Sequence, residues 1–334
     1  MSSLYYRPIP DPSGRHRLAG GWVHFSRVEV LSRSGSARLC NADQIPADVL
    51  TRLTAPRPPV AKLDLSRPRL MGILNVTPDS FSDGGQFLEA SLGLTHARAM
   101  VQGGADILDI GGESTRPGAD EVNSSEEIAR TAPVVERLRA EGINTPISID
   151  TRKAVVARAA LEAGADLIND VSAFDYDPRM VDLALEAGAP ACLMHAQGTP
   201  ETMQISPTYG AVLLDIYDAL ERKVAALVAR GLPRARLFVD PGIGFGKTVE
   251  HNVTILRGLT LFHGIGCGLV LGASRKSFIG TLTGASDTTA RLPGSVAVAL
   301  HAVSQGVQIL RVHDVEETRQ ALTMWEHLSE MGGA

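Results

Sequence analysis

Eight points along the chain carry charged or hydrogen-bonding side chains just after a short apolar run: Asn75; Glu113 to Arg116; Asp150; Asn169 and Asp170; His195; Asp240; Ser274 to Lys276; and Arg311 with His313. Any one of these could simply be a loop residue capping the next helix, a position that Asp and Asn favour. Carboxylates, amides and cations recurring at equivalent points read instead as one convergent site. Two subsets separate by chemistry. Asp150, Asn169 and Asp240 suit a flat heterocycle rich in N–H donors, because a carboxylate accepts two parallel hydrogen bonds from an amino group and a neighbouring ring N–H. Lys276 adds a compact donor for a ring carbonyl. Arg116, Arg311 and His313 suit an oxyanion of the phosphate or diphosphate kind.

Some features that resemble functional motifs do not qualify. The stretch Gly242–Ile–Gly244–Phe–Gly246–Lys247–Thr248 looks like a nucleotide loop, but a Walker A needs glycine where Pro241 stands. The dinucleotide fingerprint needs glycine where Lys247 stands. The segment reads as a flexible loop with Phe245 free to cover a ligand. His96 and His301 fall within helical stretches and read as packed or solvated, and Cys192 reads as a small buried residue.

The elements that position these residues repeat in a regular rhythm. Apolar runs recur at 70–74, 107–110, 147–149, 167–168, 191–194, 237–239, 269–271 and 309–312, mostly separated by amphipathic helical patterns. Ser124–Glu127 reads as a capping-box helix start, and Asp177–Pro178 as an N-cap followed by proline at the first helical position. Glycines 104, 164, 188 and 306 stand at helix ends, where a left-handed residue is needed before the next strand. Strands alternating with helices pair in parallel through right-handed crossovers. The 266 residues from Arg69 to Ala334 match the ~250 of a closed eightfold α/β barrel. The expected fold is therefore a (β/α)8 TIM barrel with an N-terminal extension; a doubly wound open sheet is the alternative. In such barrels active sites lie at the C-terminal strand ends, where the polar residues fall.

The composition agrees. With 44% apolar and 21% charged residues in 334, the chain can bury a large core, and wholesale disorder, collagen or coiled coil are excluded. No apolar run approaches the ~18 residues of a membrane span, and the first twenty residues lack a secretory h-region. Cys40, Cys192 and Cys267 form no CxxC, which suggests a reducing cytoplasm and no structural zinc. The net charge of −5 hides +6 in residues 1–69 and −11 beyond. The basic segment's arginines are scattered among prolines without a helical stripe, so no nucleic-acid partner is expected, and no membrane. Residues 1–66 form the expected extension and 67–334 the barrel. Trp22, Val23, Phe25, Val28 and Val30 offer a strand-like segment, so the extension is expected to fold onto the barrel rather than hang free.

At the level of motifs, Asn75–Val–Thr–Pro–Asp–Ser–Phe–Ser–Asp83–Gly–Gly and Asp109–Ile–Gly–Gly–Glu–Ser–Thr115–Arg116–Pro117–Gly118 resemble two signatures of the dihydropteroate synthase family of pterin-binding enzymes. The likeness continues through Ser148–Ile–Asp150–Thr–Arg–Lys, Ile168–Asn169–Asp170–Val, Leu193–Met194–His195, Asp240–Pro–Gly–Ile–Gly–Phe245–Gly–Lys, Gly272–Ala–Ser274–Arg–Lys276–Ser277 and Arg311–Val–His313–Asp–Val. It runs over about residues 69–325 in family order and leaves residues 1–66 unexplained.

The resemblance implies a cytoplasmic transferase of folate biosynthesis and a sulfonamide target. Such an enzyme joins 6-hydroxymethyl-7,8-dihydropterin diphosphate to 4-aminobenzoate with Mg²⁺, giving 7,8-dihydropteroate and diphosphate, usually as a homodimer. It implies a pterin pocket of Asp150, Asn169, Asp240 and Lys276 with Met194 beside the ring. Asn75, Thr115, Arg116, Arg311 and His313 become the diphosphate and metal end, with Asn75 and Asp83 at the Mg²⁺. Thr115, Pro117, Phe245, Lys276 and Ser277 become the aminobenzoate pocket. Asp150, Lys276, Arg311 and His313 are the expected catalytic set, with loops 76–87 and 115–123 closing over the substrates. Two other readings are carried forward: a methyltetrahydrofolate-type pterin methyltransferase, which needs no diphosphate site, and a non-catalytic pterin-binding relative, in which degenerate motifs are expected.

Overall fold

A computed structural model of the chain describes residues 4–35, 37–76, 86–114, 121–198, 203 and 205–329. Twelve strands and ten α-helices follow in order: β1 (Leu4–Pro10), β2 (His16–Arg17), β3 (His24–Ser32), β4 (Ala37–Asn41), α1 (Ala47–Thr54), β5 (Arg69–Asn75), α2 (Gln86–Gln102), β6 (Ile107–Gly111), α3 (Ser124–Ala140), β7 (Ile147–Asp150), α4 (Ala154–Glu162), β8 (Leu167–Asp170), α5 (Arg179–Ala187), β9 (Ala191–Met194), α6 (Val212–Ala229), β10 (Leu237–Asp240), α7 (Val249–Arg257), β11 (Gly268–Gly272), α8 (Ser277–Thr283), α9 (Leu292–Ser304), β12 (Ile309–Val312) and α10 (Val315–Leu328).

Strands β5 to β12 pair in parallel, each with its sequence neighbours, and β12 returns to β5 to close a barrel. The expected eightfold α/β barrel is present, and the open-sheet alternative is excluded. The strands are apolar on both faces because helices cover the outside and side chains fill the inside. Leu70, Leu74, Leu108, Ile110, Ile168, Leu193, Val239, Leu271 and Leu310 belong to the cluster between barrel and helices. The inside carries a second cluster of Met71, Ile107, Leu167, Cys192, Phe238, Val270 and Ile309.

The interior explains where the polar residues go. Side chains two residues apart on a strand share a face. Stepping two positions toward the C-terminal end from that inner apolar layer gives Ile73, Asp109, Asn169, Met194, Asp240, Gly272 and Arg311. The period-2 rule thus stacks a layer rich in charge directly on an apolar floor, inside one barrel.

The turns agree with the glycine expectations. Gly188 caps α5 at φ 61°, and Gly104, Gly164 and Gly306 also take positive φ at helix ends. One helix start, that of α3, differs by a residue from the sequence reading, and that of α5 agrees with it. Asn123, not Ser124, caps α3, accepting from the Glu126 N–H at 2.9 Å. Before α5, Pro178 already has helical φ/ψ, while the Asp177 carboxylate accepts from the Arg179 N–H at 3.1 Å. Helix ends fray within a residue or two in this way.

The extension is folded. β3 pairs antiparallel with β1, β2 and β4, and Leu18, Val23, Phe25, Val28, Ala42, Ile45 and Leu53 form a small core of their own. It joins the barrel at several points. Tyr5 packs with Leu214 and Leu261, and the buried Arg57 guanidinium donates to the carbonyls of Cys267 and His263, both at 3.0 Å. Val60 and Leu65 belong to the inner apolar cluster, so this segment plugs the barrel end opposite the polar layer. Among the described residues no helix is long and apolar enough to cross a membrane.

Candidate active site

Four carboxylates and amides anticipated from strand ends sit where expected. Asp150, Asn169 and Asp240 are buried and Asn75 is partly exposed, each the last or next-to-last residue of β7, β8, β10 and β5. Arg311 and Met194 join them from β12 and β9. Thr115, Arg116, Pro117 and Asp83, and most of loops 76–87 and 115–123, lie outside the described residues.

Arg311 organises the centre. Its Nε donates to Asp109 Oδ2 and its NH2 to Asp150 Oδ2, both at 2.6 Å. Asn169 Nδ2 donates to the same Asp109 carboxylate at 3.2 Å. Arg311, read as part of the oxyanion subset, also pairs with Asp150 of the heterocycle subset. The reason is electrostatic. Asp109 is fully buried and Asp150 nearly so, and buried carboxylates need a cation that satisfies their lone pairs. Asp109 is the residue that the strand-end reading missed. It lies mid-strand, and its signal is a carboxylate inside the apolar run Ile107–Ile110.

Asp150 is paired with Arg311, whose guanidinium is shared with Asp109, while Lys276 and Lys247 act on Asp240. Burial raises the Asp150 carboxyl to about 7, Asp109 adds to the rise and Arg311 opposes it. Among the described residues, one Asp150 oxygen, Oδ1, is buried without a partner, as is Ser148 Oγ nearby in sequence. Burial also raises Asp240, against the pull of Lys276 and of the Gly242 and Gly272 N–H groups, which it accepts at 2.7 and 3.1 Å. Burial lowers Lys276 to about 8, with Asp240 holding it up.

Lys276 donates to the Ile243 carbonyl and places its ammonium 4.5 Å from the centre of the Phe245 ring. Its neighbour Arg275 turns elsewhere: it takes φ 57° and ion-pairs with Asp314. His313 shares a hydrogen bond at 3.1 Å between Nδ1 and Ser274 Oγ. Ser277 begins α8 and is exposed, directly after Lys276.

The glycine stretch after β10 packs closely against the chain at His195 and Gln197. Gly242, Gly244 and Gly246 all take positive φ, and a Cβ on Gly242 would lie 1.9 Å from the His195 carbonyl oxygen. Lys247 is buried beneath, with Nζ at 2.9 Å from the Phe245 carbonyl, 3.2 Å from that of His195 and 3.1 Å from His195 Nδ1. Three backbone positions that only glycine adopts without strain let the chain close tightly on this ammonium. Burial lowers Lys247 to about 7, and burial together with Lys247 lowers His195 to about 3. His96 and His301 lie in α2 and α9 as expected, and His301 Nε2 meets the Leu256 carbonyl at 2.9 Å.

Among the described residues no three His, Cys, Asp or Glu side chains gather as a metal site. What the mouth offers is a set of buried acceptors, two cations and an aromatic ring, a composition fitted to a small heterocycle carrying an anionic arm. This is a ligand-binding barrel of the pterin kind, and the chain belongs to the pterin binding enzyme family, which matches residues 71–313. The similar proteins are dihydropteroate synthases. That of Neisseria meningitidis serogroup C is 48% identical over 270 residues, covering 80% of this chain and 95% of its own length. The solved Xanthomonas albilineans dihydropteroate synthase with 4-aminobenzoic acid has a TM-score of 0.75 at 44% identity, covering 80% of this chain and 94% of that one. The same organism's enzyme in complex with 7,8-dihydropteroate has a TM-score of 0.73 at 41% identity, covering 80% and 95%. The family match begins after the N-terminal sheet.

Proposed function

We propose that this chain is a dihydropteroate synthase. It condenses 6-hydroxymethyl-7,8-dihydropterin diphosphate with 4-aminobenzoate to 7,8-dihydropteroate and diphosphate, a step of folate biosynthesis. The observation that carries the reading is the Asp109–Arg311–Asp150 bridge with its orphaned Asp150 oxygen, at the mouth of a barrel 48% identical to a named dihydropteroate synthase.

Asp240, Asn169 and Lys276 hold the pterin edge, with Met194 beside the ring. The methylene carbon–oxygen bond breaks first, and its electron pair leaves on the diphosphate. The ionised Asp150 stabilises the positive charge left on the dihydropterin, an electrostatic task that needs no covalent intermediate. Arg311, with guanidinium N–H groups beyond the two given to the carboxylates, reaches toward the departing oxyanion together with His313 and Arg116. The arylamine nitrogen then attacks the same carbon and loses its proton to solvent. Phe245, Lys276 and Ser277, with Thr115 and Pro117, are the residues proposed to bind the aminobenzoate.

Asn75 and Asp83 are the residues proposed to hold Mg²⁺. Asn75 ends β5 with its side chain partly exposed, and Mg²⁺ needs few protein ligands because it keeps several waters and is carried by substrate phosphates. When bound, the ion would neutralise charge on the diphosphate. A homodimer belongs to the same proposal, and light scattering at twice the 35.4 kDa chain mass would support it. The methyltransferase reading is tested together with the main one: methyl transfer from methyltetrahydrofolate without diphosphate release would replace it.

A further inference from the structure

Arg33 follows β3 in the N-terminal sheet, outside the residues that the family matches. Its guanidinium is held from several sides. NH1 donates to Asp215 Oδ1 at 2.7 Å, NH2 to Asp218 Oδ2 at 2.6 Å and Nε to the Tyr5 hydroxyl at 3.1 Å. The other oxygen of Asp215 accepts the N–H groups of Gly210 and Ala211 at 2.8 and 3.0 Å. Those two residues form the turn that enters α6 from the loop after β9. Just before the turn, the Tyr209 hydroxyl donates to the Gly246 carbonyl at 2.8 Å. Gly246 adjoins Phe245 and lies close against the β9 loop, where a Cβ would meet the Gln197 carbonyl at 2.5 Å.

Docking of the sheet does not require Arg33. Tyr5 packs into an apolar contact with Leu214 and Leu261, Thr260 Oγ1 donates to the Pro8 carbonyl at 2.8 Å, and Arg57 is buried in carbonyls. Arg33 is 44% exposed, and exposed ion pairs contribute little to stability. What it does uniquely is select one orientation of Asp215, the side chain that holds the turn.

We propose that Arg33 is a positioning residue for the aminobenzoate side of the mouth, acting through Asp215 and the Gly210–Ala211 turn on Tyr209, and through Tyr209 on Phe245. The inference rests on the proposed function and on Phe245 lining the arylamine pocket. It gives the extension a part in substrate recognition.

Steady-state kinetics with both substrates varied test it in wild type, Arg33→Ala, Arg33→Lys, Tyr209→Phe and the double variant Arg33→Ala with Tyr209→Phe, each with its melting temperature. For Arg33→Ala the KM for 4-aminobenzoate rises about 3- to 10-fold, with kcat and the KM for pterin diphosphate within about twofold and melting nearly unchanged. Arg33→Lys recovers part of the loss, since a point charge reaches one carboxylate where the fork reached two. The double variant is no worse than Tyr209→Phe alone, because the two residues act along one path. An unchanged KM for 4-aminobenzoate in Arg33→Ala overturns the proposal. So does multiplication of the two single effects, or a rise of both KM values in proportion to lost thermal stability. A wild type without turnover overturns the parent reading and this inference with it, which is a separate and recognisable outcome.

Discussion

Lowering the pH from 8 to 5 titrates Asp150, and the structure gives both the direction and the size of the effect. Burial lifts this carboxyl to about 7, against the opposing Arg311 guanidinium at 2.6 Å. Only the ionised carboxylate can accept a pair of pterin N–H groups on its two oxygens, and it is the stronger acceptor, so pterin and proton compete. Below about pH 7 the dissociation constant then grows tenfold per pH unit: roughly tenfold between pH 8 and 6, and on the order of a hundredfold by pH 5. A carboxyl left near the ordinary ~3.9 would show almost no change over that range. Titration calorimetry with free 6-hydroxymethyl-7,8-dihydropterin measures this directly. In buffers of different ionisation enthalpy it also counts protons, and about one should be released on binding at pH 6. Asp109→Asn sharpens the test. It removes a negative neighbour and leaves Arg311 to Asp150 alone; both changes favour the ionised form, so the inflection moves to lower pH. Asp150→Asn removes the inflection and slows turnover. Affinity that stays flat from pH 8 to 5.5 in the wild type, or an inflection that moves up in Asp109→Asn, refutes the reasoning.

Three further outcomes follow from packing and charge. Gly242→Ala places a Cβ 1.9 Å from the His195 carbonyl at φ 69°; the loop must shift, and kcat/KM should fall by about 100-fold with the far-ultraviolet circular dichroism unchanged. Leu65→Ala opens a cavity at the plugged end of the barrel, beneath the polar layer. Urea unfolding should show a loss of about 2–4 kcal/mol while both KM values stay at wild-type levels. Arg311→Ala strands two buried carboxylates and should destabilise the protein by about 3–5 kcal/mol in the same assay, with turnover abolished; Arg311→Lys should restore part of the stability and little of the rate.

The barrel was legible because its strands are buried on both faces and so read as uninterrupted apolar runs, each with a polar end. That same habit of reading ends hid Asp109. Its inward direction follows from Ile107 two residues earlier, but only once Ile107 is known to face the interior. Lys247 was obscured for a related reason. Glycines suggest a loose loop in a sequence, whereas here three left-handed residues let the chain wrap the buried Lys247 amine, which donates to the Phe245 carbonyl. The strand through Phe25 and Val30 showed in the alternation of the extension, but the plug of Val60 and Leu65 did not. Two apolar residues among prolines carry no periodicity, and their partners come from seven different strands. Arg33 was one more scattered basic residue until the fold set it beside Asp215.

The central claim is the reaction. An assay of diphosphate release should show product only when 6-hydroxymethyl-7,8-dihydropterin diphosphate and 4-aminobenzoate are both present, with 7,8-dihydropteroate formed in equal amount. Diphosphate released at the same rate without 4-aminobenzoate, or none released with both substrates, would contradict the account.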